Sequence, residues 1–167
     1  MKKIYMLLTA IGSLVLFTTG CGTTQNIKLA SAVIEQGAYV GTTYAIEQNT
    51  NNVKYFVLAD ATLRQFVLGA DLSPTAFENA LMDVAPQLNN QWVQLGVNSI
   101  IVIYDAAYDQ YVIGQITNNV VAREFIIAAD NGIYRAIQPY LPAGTTLKIV
   151  SRVAKCPRPS VVAPKFK

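Results

Sequence analysis

The sequence contains no histidine and only two cysteines, Cys21 and Cys156. Without histidine there is no imidazole to act as general base, to activate a nucleophile or to fill the usual zinc sites. A glycine-rich phosphate loop is also lacking, since Gly37 and Gly41 have the spacing of GxxxG and not that of a P-loop. These absences remove the commonest signatures of catalysis. We therefore predict a protein that is not an enzyme and that needs no cofactor or metal.

Charged residues are scarce, at 14% of the chain, and they are unevenly distributed. Between Gly22 and Asp130 four bases accompany ten acids, whereas the chain from Asn131 onwards has seven bases and no acid. A basic segment after an acidic body predicts contact with something anionic, the alternative being a solvated, disordered C-terminus. The candidate contact residues in this segment are Lys148, Arg152, Lys155, Arg158, Lys165 and Lys167.

A positive start precedes an apolar run from Ile4 to Thr18, which small residues close. This order is typical of a signal peptide, and the run is shorter than the roughly 20 residues that cross a bilayer. Its last letters, LFTTGC, resemble the lipobox of bacterial prolipoproteins, in which a small residue precedes the cysteine that is acylated. The resemblance implies that residues 1–20 are a lipoprotein signal peptide, that Cys21 is lipidated, and that residues 21–26 form a tether.

Lipidation of Cys21 would anchor the protein stably, because two or more acyl chains hold a protein on a membrane. Gly22 follows, whereas Asp at that position is the familiar inner-membrane retention signal of Gram-negative lipoproteins. The resemblance therefore implies the outer membrane in a host that has one. An ordinary cleaved signal and an uncleaved anchor are the alternatives. With Cys21 lipidated, Cys156 is left either as a free thiol or for a bond to another molecule.

The body of the chain, residues 27–138, has apolar residues at helical spacing. We predict an all-α fold, an antiparallel bundle of about five helices, followed by an extended, proline-rich basic tail over residues 139–167. Ser73 and Pro74 have the residue types of an N-cap and a first helical position. The predicted helices are residues 27–48, 53–68, 74–84, 88–116 and 120–138.

Each long helix has a predicted apolar stripe. These stripes are Leu29, Val33, Val40 and Tyr44; Phe56, Leu63 and Val67; Val93, Val97, Ile100, Tyr104, Ala107 and Tyr111; and Val121, Phe125, Ala128, Gly132 and Ala136. Two stretches have a strand alternative. IIVIY, residues 100–104, would pass for a buried strand, but the helical spacing on both sides favours helix. TLKIVSRV, residues 146–153, alternates like one half-buried strand, which would pack on the bundle or pair with another chain.

Four small constellations have both a structural and a functional interpretation. GAYVG, residues 37–41, indicates a close helix crossing inside the bundle more than a membrane dimerisation face. Asp105 and Asp109 share one helix face that looks solvated, although two carboxylates could hold a cation. Asp60 is expected to form a surface ion pair with Arg64 at i+4. The stripe Tyr104, Tyr108 and Tyr111 predicts core packing, with contact to a sugar or a partner as the alternative.

Together these features favour a lipid-anchored envelope protein that works by contact. Its expected partners are the membrane, through the anchor, and an anionic envelope surface or a protein; export argues against nucleic acid. Lipid head groups, teichoic acid and peptidoglycan are the anionic surfaces that the tail would meet. The alternatives are a carrier of small apolar ligands, with a pocket near the tyrosine stripe, and a phage-encoded accessory for exclusion or lysis.

Overall fold

The computed structural model describes residues 24–84, 90–112 and 118–142. Five α-helices make up this part of the chain, which contains no strand, so the all-α prediction is confirmed. The helices are α1 Thr24–Gln48, α2 Val53–Phe66, α3 Pro74–Val84, α4 Gln91–Tyr111 and α5 Asn118–Ile137. Short 3₁₀ turns at Thr50–Asn52 and Gln138–Tyr140 follow α1 and α5. The predicted signal peptide, the TLKIVSRV segment and the basic tail residues lie outside the described ranges.

Several predicted helix boundaries need correction, and α5 is shifted to Asn118–Ile137 from the predicted 120–138. α1 begins at Thr24, so residues 24–26 belong to the first helix and not to a tether. α4 covers Gln91–Tyr111 and is therefore shorter than the predicted 88–116. α2 ends at Phe66, and a turn through Leu68 and Gly69 follows. The stretch IIVIY is helical, as its flanking residues indicated.

Side-chain caps explain where two of the helices begin. The Ser73 hydroxyl oxygen accepts a hydrogen bond from the Ala76 amide at 3.3 Å, and Pro74 is the first residue of α3. This confirms the predicted cap. At the start of α4, the side-chain oxygen of Asn90 accepts from the Trp92 amide at 3.0 Å. Each cap satisfies an amide that has no partner within the helix.

Most neighbouring helices in the bundle run in opposite directions, whereas α1 and α5 begin at the same end and pack in parallel. α1 packs on α4 and α5, α2 on α3 and α5, and α3 on α4. The direction is clear between α1 and α4, where Gly37 faces Ile103 while Gly41 faces Gly96. Asn90 donates to Asn52 at 2.7 Å, and Asn52 donates to the Ala45 carbonyl at 2.7 Å. These bonds join the start of α4 to the turn between α1 and α2.

Glycines allow α1 to approach both of its neighbours closely. A methyl group on Gly96 would lie 3.1 Å from the Gly41 carbonyl oxygen, so the two backbones nearly touch. On the other side, a methyl group on Gly132 would overlap the carbonyl oxygen of Glu35. GAYVG is therefore a helix-crossing site inside the bundle, as predicted. Among the described helices, none has the length and apolar character needed to cross a membrane.

The predicted stripes of α2, α4 and α5 are confirmed, because every residue in them is buried. The stripe of α1 is wrong: Leu29 is exposed, and Val33, Val40 and Tyr44 are only half-buried. α1 turns its small residues inward instead, since these permit close contact with two helices at once. Its buried positions include Ala30, Ile34, Gly37, Ala38, Ala45 and Ile46.

Candidate functional site

Where α2 packs on α5, two buried aspartates lie beside a partly exposed arginine. Asp60 and Arg64 lie one turn apart on α2, and Asp130 faces them from α5. The Arg64 Nη2 atom donates to Asp60 Oδ1 at 2.9 Å, and Arg64 Nε lies 3.7 Å from Asp130 Oδ1. Both aspartates are only 1% exposed. The guanidinium carbon of Arg64 also lies 5.7 Å from the centre of the Tyr134 ring.

This cluster corrects one prediction. The ion pair between Asp60 and Arg64 is present, but it is not a surface pair, because Asp60 is buried. Arg64 alone reaches toward the outside, with 20% of its side chain exposed. The i+4 spacing indicated the pair correctly but gave no information about which way it points.

Asp130 is an unusual member of the core, since neither of its carboxylate oxygens accepts a hydrogen bond. Burial raises the pKa of Asp130 to about 8, the neighbouring Asp60 carboxylate adds to this rise, and Arg64 opposes it. Burial also raises the pKa of Asp60, against the lowering effect of Arg64. Two adjacent carboxylates with one arginine are electrostatically balanced when they share one proton. A protonated Asp130 that donates to Asp60 satisfies this balance.

The chemistry open to this cluster is proton binding. A shared proton on a carboxylate pair can serve acid–base catalysis where a substrate reaches it. Here the two aspartates are 1% exposed, and α2 and α5 pack directly over them. The arrangement therefore supplies a proton-dependent contact between two helices. In the part of the chain that the structure describes, no group of three His, Cys, Asp or Glu side chains could hold a metal.

The pair Asp105 and Asp109 lies on α4, away from the buried cluster. Asp109 is exposed and Asp105 is half-buried, with Oδ1 enclosed and without a hydrogen-bond partner. Burial raises the pKa of Asp105, and the charges of Glu78 and Asp109 add to the rise. The face is acidic and partly solvated, as expected from its neighbours Gln91, Gln94 and Asn98, which are exposed.

The tyrosine stripe of α4 belongs to the core. Tyr104 is buried, its ring stacks on Phe77 at 4.0 Å, and its hydroxyl donates to the Leu72 carbonyl at 2.6 Å. Tyr111 is buried against Phe125, and Tyr108 is half-buried beside Tyr104. Tyr104 and Tyr111 thus have no exposed ring to offer a partner, and the core interpretation of the stripe holds.

The remaining predicted site residues are Cys21 and the basic residues from Lys148 to Lys167, and all of them lie outside the described ranges. Asp130 is the functional candidate that the sequence did not indicate. Its signal was present as a single acid on an apolar stripe, with Ile126, Ile133 and Ile137 at helical spacing on either side.

In comparisons with known proteins, no family model, no curated protein and no solved structure matches this chain.

Proposed function

We propose that the chain is an exported lipoprotein of the bacterial envelope, held on a membrane by acyl chains on Cys21, and that its helical bundle works by contact. The observation that carries this proposal is the short apolar run with a positive start that closes on Gly20 and Cys21. Two or three acyl chains would make the anchor effectively permanent. Gly22 after the cysteine favours the outer membrane in a Gram-negative host.

A role in contact is supported by the chemistry of the bundle. Its cluster of Asp60, Arg64 and Asp130 joins α2 to α5, and both aspartates are buried between these helices. The outward stripe of α2 is nearly uncharged and partly apolar, which suits contact with another surface better than full solvation. This stripe consists of Lys54, Leu58, Ala61, Gln65 and Leu68.

The basic segment would provide a second contact. Each Lys or Arg near an anionic surface contributes roughly 1 kcal/mol of attraction at low salt. Six bases from Lys148 to Lys167, with no acid among them, would give this segment a strong preference for lipid head groups, anionic wall polymers or an acidic protein.

The carrier alternative receives less support. It places a ligand pocket near the tyrosine stripe, and there the Tyr104 ring is already stacked on Phe77 and its hydroxyl is bonded to Leu72. Ligand binding at that position would have to displace core contacts. The carrier and the phage-encoded accessory therefore remain alternatives based on the sequence alone.

The test of the anchor is the intact mass of the mature protein, extracted from membranes of a bacterial host. We expect a mass that corresponds to a chain beginning at Cys21 plus acyl chains, and loss of that species in Cys21→Ser. Cys156→Ser is the matched control, because it removes the other thiol and should leave the acylated mass shifted only by the substitution. A soluble protein without acyl chains would overturn the proposal.

A further inference from the structure

The alternation of helix directions gives the bundle two ends. At one end, the bond from Asn90 to Asn52 joins the start of α4 to the turn between α1 and α2. α4 therefore ends beside the start of α1, and α5 begins there shortly afterwards. α2 ends at the same place, because Arg123 of α5 donates to the Gly69 carbonyl at 3.3 Å. We call this the anchor end; it comprises residues 24–29, 67–73, 109–112 and 119–123.

The anchor end carries the two most exposed large apolar side chains of the described residues. Leu68 is 81% exposed, at the turn after α2, and Val120 is 66% exposed, in the first turn of α5. Leu68 adjoins Gly69 and Val120 lies one turn before Arg123, so the hydrogen bond between Gly69 and Arg123 shows that the two side chains belong to the same end of the bundle. Leu29, in the second turn of α1, is 48% exposed. Exposed apolar side chains that gather at one end of a protein are suited to contact with another surface.

The length of chain before α1 indicates what this surface contacts. Cys21 is three residues before Thr24, where α1 begins. A residue spans at most about 3.6 Å, so Thr24 lies within roughly 11 Å of Cys21. If Cys21 carries acyl chains in a bilayer, the anchor end is held at the head groups. The opposite end, where α1 ends, is a whole helix further away.

We propose that Leu68, Val120 and Leu29 form a membrane-contact surface that is seated in the interfacial zone of the bilayer holding the anchor. This inference rests on the proposed lipidation of Cys21 and adds an orientation to it: the bundle stands on its anchor end, with the turn between α1 and α2 pointing away. Apolar side chains of peripheral proteins insert about 5–10 Å into this zone. The three side chains replace contact with water by contact with lipid.

The charges at the anchor end indicate that a zwitterionic lipid surface is sufficient for this contact. Lys28 and Arg123 are exposed there and can meet phosphate groups, but Asp71 and Asp109 are exposed at the same end. Both signs are present, so the seating depends on apolar contact and not on net charge. Phosphatidylcholine vesicles are therefore the appropriate probe.

The first experiment measures depth on the acylated protein reconstituted in phosphatidylcholine vesicles, in a Cys156→Ser background. Leu68→Cys and Val120→Cys carry a nitroxide, whose collisions with oxygen and with a water-soluble nickel chelate report its environment. Leu58→Cys is the matched control, since Leu58 is an exposed leucine within α2, two turns before the end of that helix. Tyr140→Cys reports the opposite end. We expect the labels at positions 68 and 120 to favour oxygen and the other two to favour the chelate.

A sample whose mass confirms the acyl chains, but whose labels at positions 68 and 120 behave as in water, overturns the contact surface while the anchor stands. Absence of acyl chains is a failure of the proposed function instead. A second measurement then tests the membrane-contact surface in a chain that has no anchor.

That second measurement is the partitioning of the mature chain with Cys21→Ser onto the same vesicles. We expect Leu68→Ser/Val120→Ser to weaken partitioning by about tenfold, since two apolar side chains leave the lipid. The control Leu58→Ser/Val102→Ser removes an exposed leucine and an exposed valine elsewhere and should change partitioning little. Circular dichroism verifies that both variants are folded. An equal effect of the two pairs, or none from either, overturns the proposal.

Discussion

α5 packs against two neighbours through two different kinds of surface. Toward α1 it presents Gly132, where the backbone of α5 comes into contact with the backbone of α1 at Glu35. Toward α2 it presents Asp130, which meets Asp60 and Arg64. In the first contact the two helix backbones are too close for water to enter, so the strength of this contact should not depend on pH. The second contact encloses charges and needs a proton to balance them, so its strength should depend on pH.

The largest effect should come from filling the close contact. In Gly132→Ala the new methyl group would overlap the Glu35 carbonyl oxygen and lie 2.8 Å from Ala38 Cβ. Backbone atoms cannot rotate away, so α1 and α5 must separate. We expect a loss of about 3 kcal/mol in the free energy of unfolding, at the upper end of the range for overpacking. Urea denaturation followed by circular dichroism measures it.

Gly41→Ala is the matched control for this prediction. Its methyl group would lie 3.4 Å from the Gly96 carbonyl oxygen, which is ordinary contact or slightly closer. Alanine also favours a helix interior over glycine by about 1 kcal/mol. We therefore expect Gly41→Ala to be nearly neutral. If Gly132→Ala cost no more than Gly41→Ala, the α1–α5 contact would not be as close as described.

The contact with α2 should weaken as the pH rises. The pKa of Asp130 is raised from 3.8 to about 8 in the folded protein, whereas the unfolded chain has the ordinary value. Between these two values the folded state binds more protons than the unfolded state, so the free energy of unfolding decreases with increasing pH. The slope should be at most about 1.4 kcal/mol per pH unit. The absence of histidine leaves this range free of imidazole titration.

Asp130→Asn tests the cause of this slope. An amide is neutral at every pH and can donate to Asp60 as a protonated Asp130 does. We expect the variant to match the wild type in stability near pH 5 and to exceed it near pH 8, as measured by urea unfolding with the fluorescence of Trp92. Glu47→Gln, which removes an exposed carboxylate, should keep the wild-type slope. A slope that persists in Asp130→Asn would assign the pH dependence to other groups.

The two contacts also differ in how far the sequence predicts them. The stripes of α2, α4 and α5 follow from the spacing of large apolar residues, because a helix buries its bulkiest face in most packings. α1 breaks this rule, since it lies between α4 and α5 and needs small residues such as Gly37 and Ala38 at both contacts. The spacing of large apolar residues therefore predicted that Leu29 is buried, whereas it is exposed.

The acid cluster could be predicted only in part. The spacing of Asp60 and Arg64 is local, and it indicated their ion pair. Asp130 is far away in sequence, so its approach depends on the packing of α2 on α5 and leaves no spacing pattern. What the sequence does offer is an acid on a buried stripe, which requires a partner from another helix. The identity of that partner emerges only from the tertiary structure.

The smallest effect should come from the exposed charges on the α1 side of α5. Arg135 Nη1 donates to Glu35 Oε1 at 2.7 Å, and half of the Arg135 side chain is exposed to solvent. Solvent screens such a pair, so Glu35→Gln should cost less than about 0.5 kcal/mol, and less still at high salt. Arg135→Gln should cost more, because the guanidinium also lies 4.9 Å from the centre of the Tyr39 ring.

A double-mutant cycle of Glu35→Gln and Arg135→Gln, measured by urea denaturation at low and high salt, separates the pair from the ring contact. A coupling energy that is small and decreases with salt would mean that α5 is held on α1 by its backbone contact, and that charge matters only where α5 meets α2. A coupling above about 1 kcal/mol that resists salt would contradict this division. Both faces of α5 would then depend on charge, and the pH slope could no longer be assigned to Asp130 by its burial alone.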